Sequence, residues 1–263
     1  MKLKDLNTNL QATEMCDIAK RFGTDKYQHG YTKVYYEIMN KKRKENINIF
    51  EIGIYLGNSI RLWDNFFPNG KVCGIDNGRL LPNSSTNLGQ SNENPSEDDR
   101  KLLQENSIIS QDFSWIETLK IKCFIADQRS NEQLKNAFKH FGCDTFDYVI
   151  DDGHHFQEHQ QKSLGILFPV VKSGGYYIIE DICEYEDLKN GSFWGQKKDD
   201  ATDSTDYLFM EFLKTGIFKS DYISEDESKY IIENIGDIFL YDSRNKNNSP
   251  ISGSSKLLVI KKK

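Results

Sequence analysis

The sequence predicts an α/β fold, a three-layer sandwich on a mostly parallel seven-stranded sheet with an antiparallel closing strand. Three observations carry that reading. Short apolar runs rich in β-branched and aromatic residues alternate with helix-length amphipathic stretches, the pattern that βαβ units require. The first run, Ile47 to Ile54, leads into a glycine-punctuated turn, Glu51-Ile-Gly-Ile-Tyr-Leu-Gly-Asn-Ser59. Two later runs, Tyr148-Val-Ile150 and Gly175-Tyr-Tyr-Ile-Ile179, stand one helix-length apart and both end in carboxylates.

Size and composition narrow the possibilities. A chain of 263 residues can form one large α/β domain or two small ones. There is no internal repeat and no dividing linker, so residues 1–263 are assigned to one domain. Its 16 Phe and 13 Tyr supply bulky core material. No apolar run approaches the roughly 18 residues of a membrane span. The first residues, MKLKDLNTNLQATE, lack the apolar segment of a signal peptide, so a cytoplasmic protein is expected. The net charge of −6 argues against a nucleic-acid partner, which normally demands a basic patch. The five cysteines, at 16, 73, 123, 143 and 183, show no CxxC spacing and read as free thiols rather than a zinc site or disulfide frame.

Residues 1–45 form an N-terminal helical cover, with Ile18, Phe22, Val34, Tyr35 and Ile38 at helix-like spacing around Phe22-Gly-Thr-Asp-Lys26, His29 and Tyr31. In the turn after the first strand, Gly53 and Gly57 let a ligand approach the backbone. Ser59 is expected to cap a helix whose inner face is Leu62, Trp63 and Phe66. The turn is not G-x-G-x-x-G, so it serves a dinucleotide poorly. Lys71 to Asp76 is the second strand, and Asp76 lies where an acid accepts hydrogen bonds from ribose hydroxyls. Residues 77–120 are an insertion, Asn- and Ser-rich over 77–110, and read as either a disordered segment or a lid at the ligand rim.

Ile121 to Ala126 is the third strand, ending in Asp127-Gln128. Asn131 is expected to cap the next helix, with Leu134, Phe138 and Phe141 on one face before Gly142. Residues 184–235 hold a polar loop with Trp194, which reads equally as a ring-stacking residue or a core residue, and then a helix that Gly216 ends. Ile238 to Tyr241 and Leu257 to Ile260 close the sheet as a hairpin-like pair.

The centre of the pattern is Asp147-Tyr-Val-Ile-Asp-Asp-Gly-His-His155. Ligands of parallel α/β sheets bind at the carboxyl ends of strands. Neighbouring strands would bring Asp152, Glu180 and Asp181 to one rim beside His155, a hard-cation site with an attached base. Solvated strand ends are the plain alternative for any one acidic pair. Two such ends at βαβ spacing favour the site.

These features together match the fold of class I S-adenosylmethionine-dependent methyltransferases, a Rossmann-like architecture. Four stretches narrow the likeness. Phe22-Gly-Thr-Asp-Lys26 with His29-Gly-Tyr31 resembles the N-terminal signature of the macrocin/mycinamicin sugar O-methyltransferase family. Phe50 to Ile54 through Ser59-Ile-Arg-Leu-Trp63 and Phe67-Pro68 is similar to that family's cofactor turn. Ile150-Asp-Asp-Gly-His-His155 resembles its IDDGSH motif with His154 in place of serine, and Tyr177-Ile-Ile-Glu-Asp181 resembles its V-I-E-D strand end.

The resemblance implies magnesium on Asp152, Glu180 and Asp181 and His155 as catalytic base. It implies S-adenosyl-L-methionine with its methionine end near Glu51, Gly53, Gly57 and Ser59, its ribose on Asp76 and its adenine near Asp127 and Gln128. His29, Tyr31, His154 and Trp194 are the candidate acceptor contacts. The acceptor implied is a sugar, nucleotide-linked sugar or glycan, and the Lys/Asn/Ile-rich composition favours bacterial surface polysaccharide over antibiotic tailoring. The sequence is compatible with a homo-oligomer. A catechol-type O-methyltransferase, a non-catalytic protein that kept the cofactor fold, and an NAD-dependent oxidoreductase are the competing readings.

Overall fold

In the computed structural model, the described residues are 3–5, 12–78, 113, 116–182, 203–242 and 256–263. The expected lid over 77–110 falls outside them except for its first two residues, as does Trp194. The strands are β1 (Leu3–Asp5), β2 (Asn48–Ile52), β3 (Lys71–Asp76), β4 (Ile121–Ile125), β5 (Phe146–Asp151), β6 (Val171–Ile179), β7 (Ile235–Asp242) and β8 (Lys256–Lys262). The α-helices are α1 (Glu14–Phe22), α2 (Tyr31–Met39), α3 (Asn58–Phe66), α4 (Asn131–Phe141), α5 (Gln157–Leu167), α6 (Thr205–Thr215) and α7 (Glu225–Asn234).

The strands join in the order β1-β7-β8-β6-β5-β2-β3-β4. β8 runs antiparallel to both its neighbours, β6 and β7, while the other pairs are parallel. The predicted seven strands are all present, and Leu3–Asp5 adds an eighth at the β7 edge, with Leu3 opposite Ile238. Chain direction along the sheet reverses between β2 and β5, which opens a crevice at their carboxyl ends.

Strand alternation builds the two faces, even though both are apolar. Ile49, Tyr148, Ile150, Ile178 and Val259 pack with Ile18 of α1, Tyr35 of α2 and Trp63 of α3. Phe50, Ile52, Val149, Tyr177 and Ile260 pack with Leu134 of α4, Leu164 of α5, Phe209 of α6 and Ile231 of α7. A sheet covered on both faces needs apolar residues at successive positions, which is why these strands read as continuous runs. Among the described residues no helix is long and apolar enough to cross a membrane.

Two helix starts differ from expectation. α3 begins after Gly57, at φ 72, without a side-chain cap, and Ser59 lies inside its first turn with its hydroxyl donated to Glu51. α4 is capped by Ser130, whose hydroxyl accepts the Gln133 amide, rather than by Asn131. In both cases the neighbouring residue has the non-helical backbone that a cap requires.

Candidate functional site

The carboxyl ends of β2, β5 and β6 converge at the crevice. Gly53, at φ 92, follows β2, and a Cβ there would stand 2.0 Å from the Asp152 carbonyl oxygen. Glycine is required here by the contact between the β2 and β5 turns, which sets Asp152 beside the glycine turn. Among the described residues, three non-glycine residues take positive φ, and all lie at this rim: Tyr55 (47°), His155 (60°) and Asp181 (49°). Such conformations cost about 1–3 kcal/mol each and concentrate at functional sites.

The acids form two groups that share Asp152. Ligand atoms of Asp152, His155 and Asp181 lie within 4.8 Å of one another, as do those of Glu51, Asp152 and Glu180. The first group is reachable from solvent: side-chain exposure is 21% for Asp152, 19% for His155 and 16% for Asp181. His155 Nε2 lies 3.8 Å from Asp181. His29 Nδ1 approaches the same carboxylate at 3.8 Å and its ring stacks on Tyr31.

The second group encloses a residue that the sequence analysis had not placed in the site. Lys26 is fully buried, with Nζ 2.5 Å from Asp152, 2.7 Å from Glu180 and 3.2 Å from Glu51. Burial opposes its charge, but Asp152, Glu180 and Glu51 outweigh it and hold the ammonium well above its ordinary pKa. Burial also raises the carboxyls of Asp152 and Glu180, and pushes Glu51 to about 7. The ammonium is the group we take as firmly charged, since three oxygens surround one cation.

The N-terminal cover supplies two further donors. Tyr35 donates its hydroxyl to Glu180 Oε1, the oxygen that also receives Lys26. Both of these contacts fall on the same oxygen of Glu180. Tyr31 donates its hydroxyl to Asp181 at 2.6 Å, with the Lys256 carbonyl 3.1 Å from the same oxygen. Tyr31 is therefore buried beneath the rim, where it holds an acid.

Glu51 is wholly buried, taking the Ser59 hydroxyl at 2.8 Å and the Trp63 indole N–H at 3.0 Å, so its carboxylate lies under the glycine turn. Asp76 accepts the amides of Ile54 and Tyr55, both at 3.0 Å, and of Gly78 at 2.8 Å, which shapes the same turn from β3. Asp127 is paired with Arg129 at 2.6 Å. The Gln128 side chain donates to Asp151 and Ser163 and accepts the His154 amide, tying the β4 end to the β5 turn. The His154 ring packs edge-on against Phe156, 4.2 Å between centroids, and lies 4.9 Å from His159.

A signal for Lys26 was present in the sequence. The Phe22-Gly-Thr-Asp-Lys26 stretch had been singled out, but a lone lysine is ordinarily exposed. Its burial depends on acids 126 and 154 residues away.

Sheet order and switch point define a Rossmann-like fold, with the acidic rim at its crevice. The solved structure of MycE methyltransferase from the mycinamycin biosynthetic pathway, in complex with Mg, SAH and mycinamycin VI, superimposes with a TM-score of 0.61 at 22% identity. It covers 96% of this chain and 55% of that one. Relatives in sequence include several O-methyltransferases. Over 178 residues the chain is 28% identical to mycinamicin VI 2''-O-methyltransferase of Micromonospora griseorubida, and equally to demethylmacrocin O-methyltransferase of Streptomyces fradiae. Those matches cover 64% of this chain and 36% of each relative, so the aligned stretch spans about a third of their length. A 25% identity over 222 residues links it to 8-demethyl-8-alpha-L-rhamnosyl tetracenomycin-C 2'-O-methyltransferase of Streptomyces olivaceus, with 80% of this chain covered. No family model matches the chain.

Proposed function

We propose that this chain transfers a methyl group from S-adenosylmethionine to a hydroxyl of a sugar-bearing acceptor, with a divalent cation, magnesium, at the acidic rim. The observation that carries the reading is the solvent-reachable group of Asp152, His155 and Asp181 at the switch point, next to the glycine turn. The donors suit a hard cation, since carboxylate oxygens dominate. Asp152 and Asp181 would hold it, with Glu180 offering the oxygen that Lys26 and Tyr35 leave open. When bound, such an ion orients vicinal sugar oxygens and acidifies the reacting hydroxyl.

The remaining work falls to side chains and backbone. His155 takes the proton from the acceptor hydroxyl, and its left-handed backbone aims the imidazole from the β5 turn. The α3 N-terminus, free of a side-chain cap, offers backbone amides to the cofactor carboxylate. Asp76 faces the ribose while holding the turn in shape. His29 and His154 flank the acceptor. Methyl transfer needs in-line placement of oxygen and sulfonium, so this positioning supplies much of the catalysis.

The relatives' names concern mycinamicin VI, demethylmacrocin and a rhamnosyl tetracenomycin, the last with a sugar in its name. They favour an acceptor of that kind over the surface polysaccharide suggested by composition. The test is transfer of labelled methyl from S-adenosylmethionine to a panel of glycosylated macrolides, free sugars, nucleotide-sugars and catechols. Turnover on sugar-bearing acceptors, abolished by EDTA and restored by Mg²⁺, is expected. Full turnover in excess EDTA, or turnover on catechols alone, would overturn it.

A further inference from the structure

The inner half of the acidic cluster already contains a cation. Lys26 Nζ lies within 3.2 Å of the carboxylates of Glu51 in β2, Asp152 just after β5 and Glu180 just after β6, with none of its side chain exposed. Ligand atoms of those same three acids sit within 4.8 Å of one another, a spacing that a divalent ion could bridge. The outer group shares Asp152 but is open to solvent. One chain thus presents two adjacent cation positions, the inner one filled by its own ammonium. Paired metal sites elsewhere place their ions about 3.5–4 Å apart across shared carboxylates.

We infer that Lys26 is a built-in counter-cation that fills the inner position, confines divalent binding to the outer edge and conceals a latent inner metal site formed by Glu51, Asp152 and Glu180. Tyr35 supports the arrangement by donating to the Glu180 oxygen that Lys26 holds. Three carboxylates gathered in the interior without a cation would be costly, because buried charge is tolerated only when paired. A mobile ion should therefore enter when the fixed one is removed. The inference rests on the proposed function only in calling the outer edge a cation site; the inner position stands on the Lys26 contacts.

The experiment is a Mn²⁺ titration of the full chain, read by the signal of the free ion, for the parent protein and Lys26→Met. Methionine keeps most of the lysine stem and removes the ammonium, with both its charge and its N–H donors. The variant should bind one more ion per chain than the parent, whatever the parent count, and should gain more thermal stability from Mn²⁺. A Lys26→Met protein recovered only when Mn²⁺ is present would be the same result in stronger form. Adding Glu51→Gln to Lys26→Met should remove the extra ion. A folded Lys26→Met protein that gains no ion overturns the inference. So does one that cannot be folded even with Mn²⁺, or an extra ion that survives Glu51→Gln. Loss of EDTA sensitivity in the turnover assay would defeat the proposed function while leaving this increment readable.

Discussion

Gly53 and Asp152 meet at the floor of the crevice, where a Cβ on Gly53 would stand 2.0 Å from the Asp152 carbonyl oxygen. The contact locks the glycine turn after β2 to the acidic turn after β5, and neither can shift independently of the other.

Gly53→Ala should therefore be severe. Strain at φ 92 adds to a backbone overlap, and each is worth about 1–3 kcal/mol. Gly142→Ala is the control: its φ is 62, but no atom lies within 4 Å of the added carbon, so only about 1–2 kcal/mol should be lost. Urea melts of the two variants should rank them in that order. Equal midpoints would mean that the two turns separate without cost.

Asp76→Ala should weaken both the turn and the cofactor. The carboxylate receives three backbone amides, and hydrogen bonds to a charged acceptor are worth about 1.5–3 kcal/mol each when isolated. We expect a lower urea midpoint and about 1–3 kcal/mol less calorimetric affinity for S-adenosylmethionine. An unchanged affinity in the folded variant would remove Asp76 from the cofactor site.

Much of this arrangement was legible in the sequence, for local reasons. The strands announced themselves as apolar runs, and their acidic ends followed from where the runs stopped. Asp152, His155, Glu180 and Asp181 could be placed on one rim because βαβ connectivity puts neighbouring carboxyl ends together. Lys26 could not be placed that way, since its partners are non-local. Tyr31 had been expected at the acceptor, but nothing in its neighbourhood reveals that its hydroxyl reaches down to Asp181. Leu3–Asp5 is too short to carry a period and becomes a strand only because the β7 edge is open to it.

His159 should make stability pH-dependent in a defined direction. Burial lowers its pKa below the ordinary value of about 6.5, and its ring lies against Phe156 and His154. Below that value the unfolded chain binds more protons than the folded one, so stability falls on acidification through that window and toward the lower folded pKa. Glu51 and Asp151, both pushed by burial to about 7, act in the opposite sense because the folded form holds their protons. The comparison is therefore a difference between proteins. Between pH 7.5 and pH 5 (bounds of about one unit or more on either side of the imidazole's usual value), the parent should lose more melting temperature than His159→Gln. Parallel pH profiles would show that the buried imidazole titrates as it does in the unfolded chain.

The division of labour at the rim, with acids holding the cation and the imidazole working on the acceptor, is tested most directly by His155→Ala. One preparation should be assayed for Mn²⁺ binding, S-adenosylmethionine binding and single-turnover methyl transfer. Both ligands should bind as in the parent while the rate falls by roughly 10²–10⁴, the usual worth of a general base. Loss of Mn²⁺ binding together with the rate would contradict the assignment and make His155 a metal ligand.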